Sequence, residues 1–385
     1  MIQNVIILGN HIQALGLARQ AKTMGVKVIL AIPNKYSVAY FSNTVSETFF
    51  YRTVEDLYKK IYLCKTETKE TLLFPTNDEM IEFLVKNYDE FNNSFYMGIP
   101  NPGIVKIFSD KRNAYQFCER NHISCPHSWY PNTIEEVKQI ADEVDYPVII
   151  KPSIMYSFHK LFGKKAFRCN NKNELIQRAT TIVKRFPLEN ILIQEFLSGG
   201  PQYLYSYGTF AIDGVSNAAV MVNRIRQNPM DFGNSTTFAI TCNIPEIRRI
   251  AEEILKLTKY FGLAEIEFMY DTKTDTYKFI EVNTRAWKWH SISNKLGFSF
   301  LIEMIHYYNG ESVRLKLNFS KEVAWAERLT DFSVILKEIL KGNLSVKEIC
   351  KSYKIQKEYA VWSIKDSLPF FMYILLSPIL FFIRK

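Results

Sequence analysis

The sequence lacks the features that mark secreted and zinc-binding proteins. Its 385 residues contain six cysteines, none of them in a C-x-x-C pair, and no cleavable signal sequence precedes the first apolar run at residues 4–8. Structural zinc sites are built on closely spaced cysteines, so we expect none here. The scattered thiols favour a reducing compartment and a cytoplasmic protein.

Basic runs and nucleic-acid motifs are also absent. The formal net charge is +9, but the 48 lysines and arginines are spread along the chain and form no zinc-finger, homeodomain or RNA-binding signature. We therefore expect no nucleic-acid partner. A positive balance also suits an anionic substrate such as ATP, or an anionic membrane surface. With 47% hydrophobic residues, the chain can bury two or three ordinary cores.

The first segment of the chain alternates apolar runs with a helix-like stretch. Residues 4–8 and 27–32 predict strands, and residues 11–24 between them predict a helix, which is the order of a parallel βαβ unit. A third strand at residues 71–74 leads into a helix that begins near Glu79. Ligand groups gather at such strand ends in open α/β sheets.

A dinucleotide site does not fit this first unit. Only Gly9 and Gly16 occur where G-x-G-x-x-G would stand, and residues 31–34 offer no acidic group for a ribose hydroxyl. We expect no NAD and predict a doubly wound domain that forms one wall of a larger cleft.

The remainder of the chain predicts mixed α+β structure without internal repeats. Strands are expected at residues 146–151, 191–196, 203–212, 216–226, 264–270 and 277–282, and helices at 172–186 and 245–261.

Acidic and amide side chains interrupt the last two apolar strands. Glu267 shares a strand face with Glu265, and Glu281 shares one with Asn283 and Arg285, because side chains alternate along a strand. If the two strands pair as a hairpin, the side-chain oxygens of Glu267, Glu281 and Asn283 could lie close together. Such hard oxygen ligands suit Mg²⁺. The structural alternative is a half-exposed hairpin whose polar side chains face outward. Two carboxylates, an amide and a guanidinium at strand-face spacing favour the metal site.

Lysines upstream supply positive partners. Lys151 closes an apolar strand and precedes Pro152, where phosphate oxygens could lie, and Lys111 opens a helix after Asp110. The apolar run at residues 192–197 ends at a Ser-Gly-Gly turn, and such exposed backbone can bind a flat purine.

Taken in their order along the chain, these motifs resemble those of the ATP-grasp superfamily, and the resemblance spans residues 4–310. Within it the chain is similar to carboxylate-amine ligases such as D-aspartate ligase, and to ATP-grasp proteins of polysaccharide biosynthesis loci. The resemblance implies an α/β and α+β ATP-grasp fold with an N-terminal Rossmann-like (pre-ATP-grasp) domain and a C-terminal helical extension. The implied segments are residues 1–108, 109–190, 191–315 and 316–385.

The resemblance also implies roles for matched positions. Lys111 and Lys151 would hold the phosphates of ATP, and Arg285 and Arg226 would be the catalytic cations. The base and sugar of ATP would contact Gln194, Glu195, Phe196, Leu197 and Gln202. One or two Mg²⁺ ions, with Mn²⁺ as a substitute, would be held by Glu267, Glu281 and Asn283.

Two positions depart from the family pattern. Gln202 offers an amide where relatives often hold the ribose with an acid, and the loop at residues 153–165 has Gly163 alone where relatives are glycine-rich.

The implied reaction is amide-bond formation through an acyl phosphate. The carboxylate and amine substrates are not specified by the sequence; amino acids, amino sugars and uronic sugars all fit, and a cell-envelope or polysaccharide pathway is one setting. Two alternatives stay open: a catalytically weak nucleotide-binding scaffold, and a kinase-like use of the same fold.

The C-terminus ends in an apolar run at residues 368–383 that Pro378 interrupts and that is followed by Arg384 and Lys385. A spanning helix needs about 20 apolar residues. Three interpretations stay open: a peripheral anchor on the inner face of the cytoplasmic membrane through residues 368–385, a tail packed on the protein or a partner, and a true span.

Overall fold

Residues 1–102 fold around a five-stranded parallel sheet. The computed structural model describes residues 1–230, 233, 235–313, 315–317 and 319–383, with side chains at all of these except 155–157, 159 and 379–383. The first elements are β1 (Asn4–Leu8), α1 (Ile12–Thr23), β2 (Lys27–Ile32), β3 (Glu47–Phe50), α2 (Val54–Tyr62), β4 (Thr71–Pro75), α3 (Asp78–Lys86), α4 (Tyr88–Ser94) and β5 (Tyr96–Met97). The strand order is β3-β2-β1-β4-β5.

The central strands of this sheet, β1, β2 and β4, are short and apolar on both faces. Val5, Ile6 and Ile7 of β1 are fully buried, as expected for a parallel strand covered by helices on both sides. The Asn77 side chain accepts from the Met80 amide and caps α3 directly after β4. The predicted βαβ unit and the third strand are confirmed.

Residues 103–199 and 266–282 form a separate compact unit around a four-stranded sheet. Its elements before residue 200 begin with a helix at the unit boundary: α5 (Pro102–Ser109), α6 (Lys111–Arg120), β6 (Ser128–Trp129), α7 (Ile134–Glu143), β7 (Val148–Pro152), α8 (Met155–Phe162), β8 (Phe167–Cys169), α9 (Lys172–Val183) and β9 (Ile191–Glu195). The strand order is β6-β9-β7-β8, and every pair is antiparallel.

The segment after β7 forms a helix where the family pattern predicted a loop. α8 lies within residues 153–165, and Phe158 is buried in the apolar core of this unit. Its ring packs against Phe162 at 4.7 Å between centroids. Aromatic side chains at helical spacing therefore anchor a segment that has Gly163 as its one glycine.

The other unit comprises residues 1–102, 200–265 and 283–385 and contains most of an eight-stranded sheet. The remaining elements are β10 (Leu204–Ile212), β11 (Val215–Asn228), β12 (Ser235–Thr241), α10 (Pro245–Thr258), β13 (Gly262–Asp271), β14 (Thr276–Asn283), α11 (Phe300–Tyr308), β15 (Lys316–Leu317), β16 (Ala324–Ala326), α12 (Arg328–Leu340), α13 (Val346–Lys354), β17 (Lys357–Tyr359) and α14 (Leu368–Ile383). The main strand order is β14-β13-β10-β11-β12-β16-β17, with β15 beside β11. Residues of both units occur in β13 and β14. The predicted four segments stay a prediction.

The C-terminal extension contributes strands as well as the predicted helices. β16 pairs with β12, and β17 pairs with β16, so the extension continues the edge of the large sheet. The short run Ala-Trp-Ala of β16 is buried, which explains why a segment of three residues is held as a strand.

The last helix packs on the N-terminal sheet domain. Tyr373 and Leu376 of α14 are buried in the same apolar core as β1 and β2. Asp366, just before the helix, accepts from Arg19 Nε at 2.9 Å and from Ser42 Oγ at 2.7 Å. Within the described part of the chain, no helix combines the length and apolarity that crossing a bilayer requires. Arg384 and Lys385 lie outside the described residues.

A buried ion pair fastens α12 to the large sheet. Asp331 of α12 accepts from Arg226 Nε and Nη2 of β11, both at 2.8 Å, and from Thr237 Oγ1 at 2.9 Å. The side chains of Arg226 and Asp331 are 2% and 0% exposed. Because both charges have left water, each depends on the other.

Asp331→Ala is expected to lower the free energy of unfolding by about 3 to 5 kcal/mol, because it leaves the Arg226 guanidinium buried without its carboxylate. Urea unfolding followed by circular dichroism would measure the change. Glu253→Ala is the control, since its pair with Arg249 is exposed. A loss no larger than that of the control would show that the buried pair does not stabilise the protein.

Candidate active site

Lys151 lies at the end of β7 in the unit formed by residues 103–199 and 266–282. This strand lies between β8 and β9 in the sheet. The Lys151 side chain is buried. Nζ donates to the Tyr115 hydroxyl at 2.9 Å. Burial, and then the positive charge of Lys111, lower the pKa of Lys151 well below its ordinary value. The neighbourhood therefore disfavours the charged form of this lysine.

Lys111 begins α6 and contacts β14. The Asp110 side chain caps the helix by accepting from the Arg112 amide at 2.8 Å. Lys111 Nζ forms an ion pair with Glu281 Oε2 at 2.5 Å. One turn later on the same helix face, the Tyr115 hydroxyl donates to the Ile280 carbonyl at 2.9 Å. The structure thus brings together three predicted residues, Lys111, Lys151 and Glu281.

Tyr115 and Lys278 belong to this neighbourhood but were missed by sequence reasoning. Tyr115 follows Lys111 by four residues, which places both on one helix face. Lys278 stands inside the apolar strand β14 and pairs with Glu195 at 2.5 Å and Asp271 at 3.0 Å. Burial alone would lower the pKa of Lys278, but its hydrogen bonds to Glu195 and Asp271 outweigh that effect and raise it. A lysine flanked by Tyr and Phe on a strand was the available signal.

Glu195 is held firmly at the end of β9. Its Oε1 accepts from Lys278 Nζ and from the His127 amide, the latter at 2.9 Å. Phe196 donates its amide to the Pro147 carbonyl at 3.3 Å, and the Arg168 guanidinium lies 4.5 Å from its ring centroid. Leu197 is half-buried.

The two predicted glutamines have different settings. Gln194 is buried on β9, and its Nε2 donates to Ser128 Oγ at 2.7 Å. Gln202, in the unit that contains residues 200–265, is exposed. Its backbone carbonyl accepts from Asn223 Nδ2 at 2.9 Å.

Glu267 is a buried carboxylate on β13, the strand next to β14. The predicted metal set therefore consists of two carboxylates on neighbouring strands, Glu267 and Glu281, and the amide of Asn283. Among the described residues, no three His, Cys, Asp or Glu side chains are grouped so that they could hold a metal ion.

Glu265 forms a buried network in the unit that contains residues 200–265 and 283–385. Its Oε1 accepts from Trp289 Nε1 at 2.7 Å and from Arg224 Nη2 at 3.2 Å, and its Oε2 accepts from Asn283 Nδ2 at 3.0 Å. Strand alternation predicted that Glu265 shares a face with Glu267, but the roles of Glu265 and Arg224 were not predicted from sequence. The Glu-x-Glu spacing on an apolar strand was the signal.

The two predicted arginines differ in their surroundings. Arg285 Nε forms an ion pair with Asp78 Oδ1 at 2.6 Å, which joins it to the start of α3 in the N-terminal sheet domain. Arg226 is directed to Asp331 on α12, so we assign it a structural role and leave it out of the proposed site.

A β-bulge explains the orientation of Arg226. Arg224 pairs with Ala239 and Arg226 pairs with Phe238, so two steps along β11 match one step along β12. Adjacent residues of β12 face opposite sides of the sheet, and Arg226 therefore turns away from the face of Arg224.

Comparisons with known proteins agree with this architecture. Residues 110–316 match the family model described as carbamoyl-phosphate synthase L chain, ATP binding domain. Among curated proteins, the C-terminal section of the carbamoyl phosphate synthase large chain of Methanopyrus kandleri is 22% identical over 306 residues. That match covers 74% of this chain and 54% of the relative, so the chain spans about half the relative's length.

Two solved structures share the fold. The biotin carboxylase domain of Hydrogenobacter thermophilus 2-oxoglutarate carboxylase, in complex with MgADP, ADP and bicarbonate, has a TM-score of 0.67 at 18% identity and covers 84% of this chain and 73% of its own. N5-carboxyaminoimidazole synthetase from Staphylococcus aureus has a TM-score of 0.67 at 12% identity and covers 88% and 86%. The family model covers more than half of the chain, and the predicted fold class is confirmed. The protein belongs to the family of the carbamoyl-phosphate synthase L chain ATP binding domain and has the ATP-grasp fold.

Proposed function

We propose that the protein is an ATP-dependent ligase that activates a carboxylate as an acyl phosphate and joins it to an amine. The observation that carries this proposal is the buried amine of Lys151, which lies beside a second lysine. Lys111 and Glu281 both interact with it, and the pKa of Lys151 is depressed by burial and by Lys111. An arriving polyanion would restore the charged form of Lys151, and a triphosphate has the required charge.

The predicted nucleotide-binding residues give each part of ATP a proposed partner. Lys111 and Lys151 would contact the phosphates, with Lys111 exchanging its bond to Glu281 for a phosphate oxygen. The end of β9, with Gln194, Glu195, Phe196 and Leu197, would face the base, and Gln202 would contact the ribose. The fixed carboxylate of Glu195, bonded to Lys278, supports a rigid adenine contact.

Glu267, Glu281 and Asn283 form a donor set that fits Mg²⁺. Their hard oxygens suit this ion, which takes one or two carboxylates and completes its shell with phosphate oxygens and water. Asn283 follows Glu281 by two residues on β14, so the two side chains share a strand face. When bound, the ion would offset negative charge on the transferred phosphoryl group.

The chemistry would consist of two substitutions. A carboxylate oxygen attacks the γ-phosphorus, the bond to the β-γ bridging oxygen breaks, and ADP leaves. The amine then attacks the acyl carbon and releases phosphate, and the ammonium formed loses a proton. Arg285 would offset charge on the transferred group. Bicarbonate, as in the 2-oxoglutarate carboxylase complex, and amino acids or uronic acids are the candidate carboxylates, and a cell-envelope or polysaccharide pathway is the proposed setting.

Glu281→Ala is expected to reduce carboxylate-dependent ADP release by about 100-fold or more, since it removes one of two proposed carboxylate ligands. ADP release from Mg-ATP would be measured with bicarbonate, amino acids and uronic acids, each with and without amino acids or amino sugars as amine. Glu253→Ala, on the exposed face of α10, is the matched control.

Unchanged turnover in Glu281→Ala would contradict the metal assignment. ATP binding without ADP release in any pair would favour the scaffold, and hydroxylamine trapping of the acyl phosphate would separate a ligase from a kinase.

Lys151→Met is expected to raise the free energy of unfolding at pH 7 by about 1 kcal/mol or more, because it removes a buried amine with a depressed pKa. The unfolded lysine holds its proton up to about pH 10.4, so the wild type gains stability as the pH rises towards that value and the difference shrinks. The same variant is expected to lose MgADP binding.

Urea unfolding at pH 7 and pH 9.5, with calorimetric titration of MgADP, would test this. Lys184→Met, at an exposed position, should show neither effect. Undiminished nucleotide binding by Lys151→Met would remove Lys151 from the phosphate site.

We also propose that α14 contacts an anionic membrane surface. One face of the helix packs on the protein, but Leu368, Phe371 and Leu375 are 54%, 53% and 67% exposed. Their spacing places them along one stripe. Residues 321–385 contain 11 basic and 7 acidic side chains, which favours anionic lipid. Such a contact would suit an enzyme that acts on lipid-linked precursors.

The double variant Phe371→Asp/Leu375→Asp is expected to bind vesicles containing phosphatidylglycerol about tenfold or more weakly, because two apolar side chains no longer enter the lipid interface. Co-sedimentation with the vesicles would measure this binding. Leu257→Asp is the control, at an apolar side chain of α10 that is 47% exposed. Absence of binding by the unmodified protein would contradict the membrane proposal.

A further inference from the structure

Glu265 receives donors on both of its oxygens while it is almost completely buried. The residue is 4% exposed, and it accepts from Arg224 on β11 and from Asn283 and Trp289, at the end of β14 and just after it. An indole N–H and a guanidinium can donate but cannot accept a hydrogen bond. The site is therefore built for an ionised carboxylate, whose charge the Arg224 guanidinium offsets.

This carboxylate decides the orientation of the Asn283 side chain. An asparagine amide has one donating and one accepting end of nearly equal size, so its shape alone does not select an orientation. An ionised carboxylate accepts hydrogen bonds and donates none. Glu265 Oε2 therefore requires Asn283 Nδ2, at 3.0 Å, and directs the amide oxygen to the other side of the side chain.

We propose that Glu265 is a positioning residue for the cation site: it fixes the Asn283 amide so that Oδ1, and not Nδ2, is presented to the cation. The role rests on the proposed function, in which Asn283 is a Mg²⁺ ligand. A divalent cation binds the carbonyl oxygen of an amide and is repelled by its N–H₂ end. Glu265 would thus govern cation affinity without touching the cation.

The surroundings hold Glu265 in one conformation. Trp289 packs against Trp287 with 5.2 Å between ring centroids, and both indoles press on Gly208 of β10. A Cβ atom at Gly208 would lie 2.3 Å from Trp287 and 2.7 Å from Trp289, so only glycine permits this approach. The indole that donates to Glu265 is therefore fixed by packing, and it fixes the carboxylate in turn.

Glu265→Gln reverses the polarity of this hydrogen bond while preserving the shape of the side chain. In this variant the donors of Trp289 and Arg224 require the carbonyl end of the introduced amide, so its N–H₂ end faces Asn283. Asn283 must then rotate its own amide and present Nδ2 to the cation. We expect the dissociation constant of Mn²⁺, measured by electron paramagnetic resonance in the presence of ADP, to rise by about 10- to 100-fold.

A second substitution is expected to restore the correct polarity. In Glu265→Gln/Asn283→Asp, the introduced carboxylate accepts from the N–H₂ group of the introduced glutamine and again offers an oxygen to the cation. The double variant should bind Mn²⁺ at least about tenfold more tightly than Glu265→Gln. Trp289→Phe removes a donor to the same carboxylate but leaves its polarity unchanged, and should weaken Mn²⁺ binding by less than about threefold.

The outcomes separate this role from the proposed function. If the unmodified protein with ADP binds no Mn²⁺, the cation site fails and the role of Glu265 fails with it. If the unmodified protein binds Mn²⁺ and Glu265→Gln binds it equally well, Glu265 alone loses its role. Equal weakening in Glu265→Gln and Trp289→Phe, or no recovery in the double variant, would show a purely structural contribution. Should Glu265→Gln not fold, the double variant is compared with the unmodified protein: Mn²⁺ binding within about tenfold supports the role of Glu265, and loss of Mn²⁺ binding overturns it.

Discussion

The architecture depends on the rule that a charge removed from water must be matched by another group. Asp331 joins α12 to β11 through Arg226, Asp366 joins the start of α14 to Arg19 and Ser42, and Glu265 joins β13 to Arg224, Trp289 and Asn283. In each case a carboxylate collects donors that are distant in sequence. These buried carboxylates hold the C-terminal extension and the strands β13 and β14 in single positions, because apolar packing alone tolerates small shifts that a hydrogen-bonded charge does not.

Lys151 is the contrasting case. Its hydrogen-bond partner is the neutral hydroxyl of Tyr115, and the nearby Glu281 carboxylate is paired with Lys111. A matched buried charge is satisfied within the protein, whereas a buried lysine with a depressed pKa gains a favourable interaction when an anion arrives. The difference between Asp331 and Lys151 thus separates structural charge from proposed functional charge on physical grounds. The same reasoning removes Arg226 from the site and retains Lys111, whose carboxylate partner is partly exposed and can be exchanged.

Much of the fold could be predicted from the sequence, because short local patterns of apolar residues determine its strands and helices. The strands at residues 4–8 and 27–32 are short apolar runs separated by a helix, and they appear with those bounds. Lys111, Lys151 and Glu281 were found through their order along the chain, and the structure brings them together. The helix α8 was missed, because its position was assigned from a family pattern and not from its own aromatic spacing. The roles of Glu265 and Lys278 need partners from remote segments, which no local pattern specifies.

The arginines of β11 show where alternation along a strand stops being a guide. Arg224 and Arg226 are two residues apart, and an uninterrupted strand would direct both to one face. The irregular pairing with β12 adds one residue between them, so Arg224 stays on the face of Glu265 and Arg226 turns to Asp331. Had the strand been regular, both guanidinium groups would have shared the face of Glu265, and Asp331 would have been buried without a cation. The bulge therefore lets one strand supply a cation to each face of the sheet, one for the Glu265 network and one for the attachment of α12.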